Sequence, residues 1–413
     1  MNSARRVGLW LIGACGGVGT TATLGLAALS RQLTDTTSLV TALPLFDGVD
    51  LDAPAAFVVG GHEIRQAGFR ATAAELHQRS NVFDASVLAA CEEQLAQWEQ
   101  NVRPGTVLGA GPTISKLADR PEVTQARTAK EAIAQIQSDL DAFRVAHQLD
   151  QMVVLNVSST EPPFEASDAL NSLAALNAAL DHGTAGAPSP LPASSLYAYA
   201  ALDRGLPYVN FTPSLGATCP ALEELAQLRR VPIAGKDGKT GETLLKTVLA
   251  PMFKHRNWQI LSWVGHNIFG NRDGLVLDDP LNKSSKIKTK DQVISGIVGY
   301  KPQTHVSIEY IESLDDWKTA WNHIHFKGFL GTKMIMQVIW QGCDSLLAGP
   351  LVIDLARLTL LAQRHGEVGV LRHLACFFKN PHGVAIHDFF EQFDLLQKHV
   401  AASYKVATGG THG

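Results

Sequence analysis

The sequence predicts an α/β protein built on a doubly wound parallel sheet, with an inserted mixed α+β domain. Three observations predict it. A short apolar run, VGLWLI, meets a glycine-rich turn and then a helix-forming segment at residues 7–29. Apolar runs then alternate with helical periods to about residue 235, the pattern of strands joined by crossover helices. From about residue 244 to 346 the runs become longer and alternate apolar with polar, and a long apolar helix follows. With 413 residues and 46% hydrophobic content, the chain can bury a large core and form two domains.

The first strand is residues 7–12, short, apolar and ended by Gly13. Residues 20–29 contain no proline and read as a helix. Arg5 and Arg6 before this apolar run imitate a secretory leader, but Gly13, Gly16, Gly17 and Gly19 break the compact apolar core that a leader needs. Strand, glycine turn and helix form instead the phosphate-binding opening of a Rossmann-like fold. Glycines let the backbone approach a pyrophosphate, and the helix N-terminus supplies N–H groups and the positive end of its dipole. GGVGTT lacks the lysine of a nucleotide-triphosphate loop, because Thr20 stands in its place. A dinucleotide is therefore favoured over ATP hydrolysis. The spacing is G-x-x-G-x-x-G, with Cys15 where the usual middle glycine falls. The alternative is a glycine-bent junction that binds nothing. An acid for the ribose is expected about 20 residues further on. None occurs there in a strand context, which leaves Asp47 and Glu63 as candidates.

Residues 38–45 and 56–59 read as strands, and residues 128–147 as an amphipathic helix. Residues 151–157 (QMVVLNV) suit a buried parallel strand, followed by the turn SSTEPP. Residues 168–180 read as a helix and residues 182–193 as a loop rich in Gly and Pro. SSLYAYAALDRGL reads as a helix capped by Ser194 or Ser195, and PYVNFTP as another strand. LSWVGHNIFG, HVSIEYIE, NHIHFKGFLG and MIMQVIWQG then form a second, more open sheet. Residues 409–413 read as a frayed tail, and there is no internal repeat.

A net charge of −4 gives no electrostatic case for nucleic acid. No run of 18 uninterrupted apolar residues predicts a membrane span. The five cysteines are scattered without a C-x-x-C, which reads as reduced thiols in a cytoplasmic protein and argues against structural zinc. His323 and His325 alternate and would share one strand face; a catalytic metal there is one reading, and paired surface or interface histidines are the favoured one.

Three turns combine glycine with charge. GKDGKTGET (235–243) precedes a helix and offers backbone N–H groups, hydroxyls and Lys239 to an anion. It reads equally as an ordinary helix start capped by Thr240. GHNIFGNRDG (265–274) crowds Asn267, Asn271 and Asp273 into a turn, where Asn and Asp are also common for conformational reasons. KSSKIKTK (283–290) spaces Lys286 and Lys290 for one helix face. Such lysines are usually solvated; gathered in a pocket they would bind phosphate or an enolate.

Together these stretches resemble the myo-inositol-1-phosphate synthase family over nearly the whole chain. GKDGKTGET is similar to its G-x-D-x-K-[ST]-G-[QE]-T, GHNIFGNRDG to its Y-N-x-x-G-N-x-D-G, and KSSKIKTK to its S-K-x-x-[ST]-K. DDWK (315–318), CDSLLAGPLVIDL (343–355) and FFKNP (377–381) resemble its D-x-K, x-D-S-x-L-A-x-P-x-[IV]-I-D-L and L-K-x-P. The specificity lies in many motifs in the right order.

The resemblance implies conversion of D-glucose 6-phosphate to 1D-myo-inositol 3-phosphate (L-myo-inositol 1-phosphate), redox-neutral overall, with bound NAD. C5 is oxidised, C6 enolises, the enolate closes on the C1 aldehyde, and C5 is reduced again. By motif position, Thr240, Gly241, Glu242 and Lys290 would hold the phosphate. Lys286, Lys318 and Lys379 would stabilise the developing oxyanions, with Lys379 on the C5 oxygen. Asp316 and Asp344 would orient lysines or the nicotinamide side, and Asn267, Asn271 and Asp273 would line the pocket. For NAD the resemblance implies the turn Gly13, Cys15, Gly16, Gly17, Val18 and Gly19, the acid Glu63 of GGHE in preference to Asp47, and Ser158, Ser159 and Thr160. It also implies a Rossmann-like domain of 1–243 and 347–413, a catalytic and tetramerisation domain of 244–346, and a cytoplasmic homotetramer acting on a small sugar phosphate.

The departures fall on the cofactor side: Gly17 and Val18 stand where the family often has asparagines, GGHE replaces GGWD, and SSTEPP replaces N-T-E-R. NAD against NADP therefore stays open, as does dependence on a divalent metal or a monovalent cation. Glu242 beside a phosphate is unfavourable unless its side chain turns away. The rival readings are a dehydrogenase that releases NADH, a cyclase for another sugar phosphate, and a silent NAD-binding protein.

Overall fold

The computed structural model describes residues 5–124, 126–165, 167–277 and 293–405. Seven parallel strands form the larger sheet: β1 (Val7–Ile12), β2 (Phe57–Glu63), β3 (Val102–Pro104), β4 (Gln151–Asn156), β5 (Tyr208–Asn210), β6 (Pro232–Gly235) and β11 (Gly369–Val370). Their order is β11-β6-β5-β4-β1-β2-β3. The order reverses between β1 and β4, which pair in register from Val7↔Gln151 to Ile12↔Asn156. Loops after adjacent strands part there, opening a crevice at the strands' C-terminal ends where such folds bind ligands. β1 and β2 are buried along their whole length, as expected of strands covered by helices on both faces.

The second sheet has the order β10-β9-β7-β8, from β7 (Gln259–Phe269), β8 (Gln303–Tyr310), β9 (Trp317–Lys327) and β10 (Lys333–Cys343). β7 and β8 are parallel, and the other pairs antiparallel. Its covered face packs Ile260, Trp263, Ile324 and Phe326 against Ala250 and Phe253 of helix Glu242–His255. Helix Asp344–Arg364 then returns the chain to the first sheet, packing against helix Gly17–Ser30 and β4. It is long and apolar enough to cross a bilayer, but 72% of its most apolar stretch is buried within the protein. Helix Ala129–Ala146 starts in a capping box made by Thr128 and Glu131.

Local expectations fail where tertiary partners intervene. Residues 38–45 form no strand; they make the 3-10 turns Val40–Ala42 and Pro44–Phe46. Buried Asp354, from the long helix, accepts from Val40 N at 2.7 Å and from Thr41 N at 3.1 Å and Oγ1 at 2.6 Å. Those N–H groups are thereby lost to any sheet ladder, and Pro44 has none to give. The expected helix at 168–180 is a 3-10 turn, Asp168–Leu170, then helix Leu173–Asp181 capped by Ser172. Neither Ser194 nor Ser195 caps helix Ala193–Asp203, whose N-cap is Pro192. Both serines are buried inside it: Ser194 donates to Glu161 and Ser195 to Gly216 O.

Candidate active site

A cavity of about 450 Å³ opens at the crevice between β1 and β4 and runs toward the second sheet. Its floor is the first turn of the chain. Gly13 has a φ of +79°, and a Cβ there would lie 2.8 Å from the Ser158 backbone, so only glycine serves. At Gly17 a Cβ would meet Ser345 Oγ at 2.5 Å, and at Gly19 the carbonyl of Ala14 at 2.3 Å. Gly13, Cys15, Gly16, Gly17 and Val18 line the cavity, whereas Gly19 is buried and not among the lining residues. Helix Gly17–Ser30 starts here without a side-chain cap, so its first N–H groups are available to an anion.

Glu63, at the end of β2, lines the cavity at the glycine turn, with its carboxylate accepting from Cys15 N at 3.1 Å. Asp47 sits in an exposed loop outside the cavity lining. Ser158, Ser159 and Thr160 line the facing wall after β4, with Ser158 anchored through Asn156 Oδ1. His62, the residue before Glu63, is held from both ring nitrogens. Trp10 Nε1 donates to its Nδ1 at 2.9 Å, and Nε2 faces Asp139 Oδ2 at 3.1 Å. Since indole only donates, Nδ1 must accept and Nε2 must carry the proton. Burial lowers the His62 pKa, which keeps this ring neutral inside the core.

The far end of the cavity carries the lysine and carboxylate groups. Lys379 lines it, and its Nζ lies 2.7 Å from Asp237 Oδ1; both are mostly buried. The antiparallel bridge Gly238↔Phe378 sets this pair by joining the GKDG turn to the FFKNP stretch. Asp344 also lines the cavity, and Lys318 Nζ lies 3.8 Å from its Oδ1 and 4.9 Å above the Phe269 ring. Lys318 itself is not among the lining residues.

Among the described residues Asp316 bonds no lysine. It accepts from Asn271 Nδ2 at 3.1 Å, Cys343 Sγ at 2.8 Å, and Ser345 N and Oγ at 2.9 and 3.0 Å. Burial pushes its pKa above the usual carboxylate range. Asp316 thus ties the Asn271 turn and the start of the long helix to the ceiling above Gly17. Asn271 lines the cavity, whereas Asn267 is fully buried outside it and donates to Ser307 O at 3.2 Å. Asp273 belongs to the short helix Arg272–Leu277, and Lys286 and Lys290 lie outside the described residues.

The GKDGKTGET turn does two things. Thr240 lines the cavity without capping the helix, whose N-cap is Gly241. Lys239 points away: it is 3% exposed, donates to Gln392 and sits 5.6 Å over the Phe389 ring. Burial lowers its pKa to about 8. Glu242 also turns away, and its Oε1 lies 2.9 Å from Lys246 Nζ in a buried i,i+4 pair. A Cβ on Gly265 of β7 would lie 2.6 Å from that oxygen. The pair is therefore clamped under the second sheet, and neither Gly241 nor Glu242 lines the cavity.

Sequence reasoning missed Glu161, whose only signal is the acid in SSTEPP. It lines the cavity, is 4% exposed, and accepts from Ser194 N at 2.7 Å and from the Ser194 hydroxyl. Burial pushes its pKa from 4.5 up to about 7. The folded state then binds the proton more tightly than the unfolded chain. This stability is present in full below about pH 4.5 and is lost as pH rises through 7. The difference in unfolding free energy between wild type and Glu161→Gln, read by denaturant titration, should move in favour of the variant from pH 5 to 8, by at most about 3 kcal/mol. A flat difference would remove Glu161 as a titrating group.

The described residues hold one close group of metal-ligating side chains, Glu367, His373 and His399, and none of them lines the cavity. Glu367 Oε1 is 3.0 Å from His399 Nε2, and Oε2 is 3.7 Å from His373 Nδ1. The two imidazoles stack 3.7 Å apart at 4°. Their in-plane lone pairs therefore run in parallel planes and do not converge on one ion. His323 and His325 lie on the open face of the second sheet with Trp321, on which His266 stacks at 5.6 Å. Ile335 and Ile339, opposite His325 and Trp321, are 60% and 68% exposed.

Residues 7–400 match the family model described as myo-inositol-1-phosphate synthase. An inositol-3-phosphate synthase 1 from Bacteroides thetaiotaomicron is 38% identical over 288 residues, which are 67% of this chain and 65% of that one. The chain thus spans just under two thirds of that relative in the matched region. An inositol-3-phosphate synthase from Dictyostelium discoideum is 27% identical over 455 residues, covering 97% of this chain and 86% of that one. The fold is similar to that of an inositol-3-phosphate synthase from Caenorhabditis elegans, with a TM-score of 0.83 at 24% identity over 99% of this chain and 88% of that chain. A myo-inositol-1-phosphate synthase-related protein from Thermotoga maritima gives 0.75 at 23% identity over 97% and 100%.

Proposed function

The chain belongs to the myo-inositol-1-phosphate synthase family, and on that premise we propose that it converts D-glucose 6-phosphate to 1D-myo-inositol 3-phosphate with bound NAD. The observation that carries this reading is the single cavity that joins the glycine turn of β1 to the Lys379–Asp237 pair. A dinucleotide fits the residues present, because the glycines leave open a cradle that larger side chains would fill. Gly13, Cys15, Gly16, Gly17 and Val18, with Ser158–Thr160, would hold it, and the helix start would face its pyrophosphate. When bound, NAD supplies a hydride acceptor for C5 and the donor that restores it.

The chain's own groups do the rest. Lys379, aimed by Asp237, holds the C5 oxygen, where a fixed cation stabilises charge as the carbonyl forms and is lost. Lys318, drawn to Asp344, and Lys286 stabilise the enolate and the alkoxide of ring closure. Thr240 and Lys290 take the phosphate, which anchors the sugar so that C6 and C1 meet. Asp316 positions Asn271 and the Ser345 turn around this centre. Glu242 acts by supporting the turn through Lys246, without touching the phosphate.

The test is one incubation of purified protein with D-glucose 6-phosphate and catalytic NAD, followed by phosphorus NMR and NADH absorbance. A new inositol phosphate resonance without accumulating NADH is the expected result. Stoichiometric NADH with a keto sugar phosphate would replace the cyclase by a dehydrogenase. A homotetramer follows the same premise, supported by exposed Ile335 and Ile339 on the open face of the second sheet. Light scattering checks it, and a monomeric mass would overturn it. Five buried cysteines, all free, support a reducing compartment such as the cytoplasm.

A further inference from the structure

The cofactor end of the cavity carries an ion pair to which the proposed reaction gives no role. In this fold an acid at the end of the second strand accepts hydrogen bonds from the adenosine ribose hydroxyls. Glu63 has the position, but its carboxylate is already filled. Oε1 accepts from Ile64 N at 3.0 Å, and from Arg65 N and Nε at 3.2 Å each. Oε2 accepts from Cys15 N at 3.1 Å and Arg65 Nη2 at 3.2 Å. A carboxylate has about four lone-pair sites, so these five donors leave none for a ribose. The residue is 3% exposed.

The Arg65 guanidinium covers it. Nη2 also donates to Cys15 O at 3.1 Å, which locks the planar group across the glycine turn. The Arg65 side chain is 15% exposed and lines the cavity. Nη1 has no hydrogen-bond partner among the described residues. The neighbouring acid Glu75 is itself paired, to Arg79 at 3.5 Å and to Arg272 at 3.3 Å. The cavity wall at the ribose end therefore presents a guanidinium edge in place of a bare carboxylate.

We propose that Arg65 is a specificity-determining residue for the dinucleotide, and that this chain accepts the 2′-phosphate of NADP as well as NAD. A free carboxylate would repel that phosphate, whereas a fixed guanidinium donates to it through charge-assisted hydrogen bonds. The inference rests on the reading of the cavity as a dinucleotide site.

The test is calorimetric titration of wild type, Arg65→Ala and Arg65→Lys with NAD and, separately, NADP. Wild type should bind the two with dissociation constants within about tenfold. Arg65→Ala should lose NADP affinity by about 10- to 100-fold while NAD binding holds or tightens. Arg65→Lys should recover part of the loss. Retained NAD binding reports that each variant is folded. Wild type that binds NAD but rejects NADP by more than about 100-fold overturns the inference and leaves the cofactor reading standing. Equal loss of both dinucleotides in Arg65→Ala reduces Arg65 to a structural role and overturns it as well. If neither dinucleotide binds wild type, the cofactor reading falls with it.

Discussion

Lys379→Ala is expected to lower kcat by about 10²- to 10³-fold, the scale on which one oxyanion-stabilising donor acts, while dinucleotide binding persists. The reason is positional. Lys379 is the lysine among the described residues that both lines the cavity and is held by a buried carboxylate, at 2.7 Å from Asp237. Such a cation costs no reorganisation when charge develops on the substrate. Removing it also leaves Asp237 buried with one oxygen already lacking a partner among the described residues, so stability must be read beside turnover. Asp237→Asn separates the two roles: it frees the ammonium to wander but keeps its charge. It should lower kcat less than Lys379→Ala and leave KM for the sugar phosphate nearly unchanged. Turnover of Lys379→Ala within about threefold of wild type would remove the lysine from the chemistry.

Glu242→Ala carries the largest expected effect on stability. Glu242 and Lys246 have side chains only 2% and 1% exposed and face each other at 2.9 Å beneath Gly265. Deleting one partner strands the other charge in the buried interior, which costs about 3–5 kcal/mol. Removing both charges with volume kept, as in Glu242→Leu with Lys246→Met, should restore most of that loss, because the pair spends much of its attraction on desolvation. Melting of Glu242→Leu, Lys246→Met and the double variant checks this. Strict additivity of the two single losses would show that the pair is not coupled. An effect of Glu242→Ala confined to the KM for the sugar phosphate would return Glu242 to the substrate.

The two residues bear directly on how the sequence can be read. Their i,i+4 spacing is visible in GETLLK, and a helix start is visible beside it. Most such pairs are solvated. What buries this one is β7, whose glycine at position 265 leaves room for a carboxylate, and no local pattern records that. Lys239 teaches the same lesson in the same turn: a lysine among glycines suggests an anion site, yet its stem runs to Gln392 and Phe389, about 150 residues further along the chain. Residues 38–45 have strand composition, but the carboxylate of Asp354, more than 300 positions away, takes the N–H groups a ladder would need.

The sequence by itself determined the parts whose physics is local. The run Val7–Ile12, the glycine turn and the helix after it are dictated by backbone sterics and by apolar period over some 25 residues. The alternating runs of the second sheet announce strands half-covered on one face, and the motifs in order place the chain in its family. The tertiary structure alone decided which charged groups face the cavity. Asp316 ties a turn to a helix start, Glu161 becomes a buried acid, and Arg65 covers Glu63. The physical reason is that a side chain's partner and its desolvation depend on segments brought together only by packing. A local pattern can fix a backbone's course, but not the dielectric or the counter-charge that its side chains will meet.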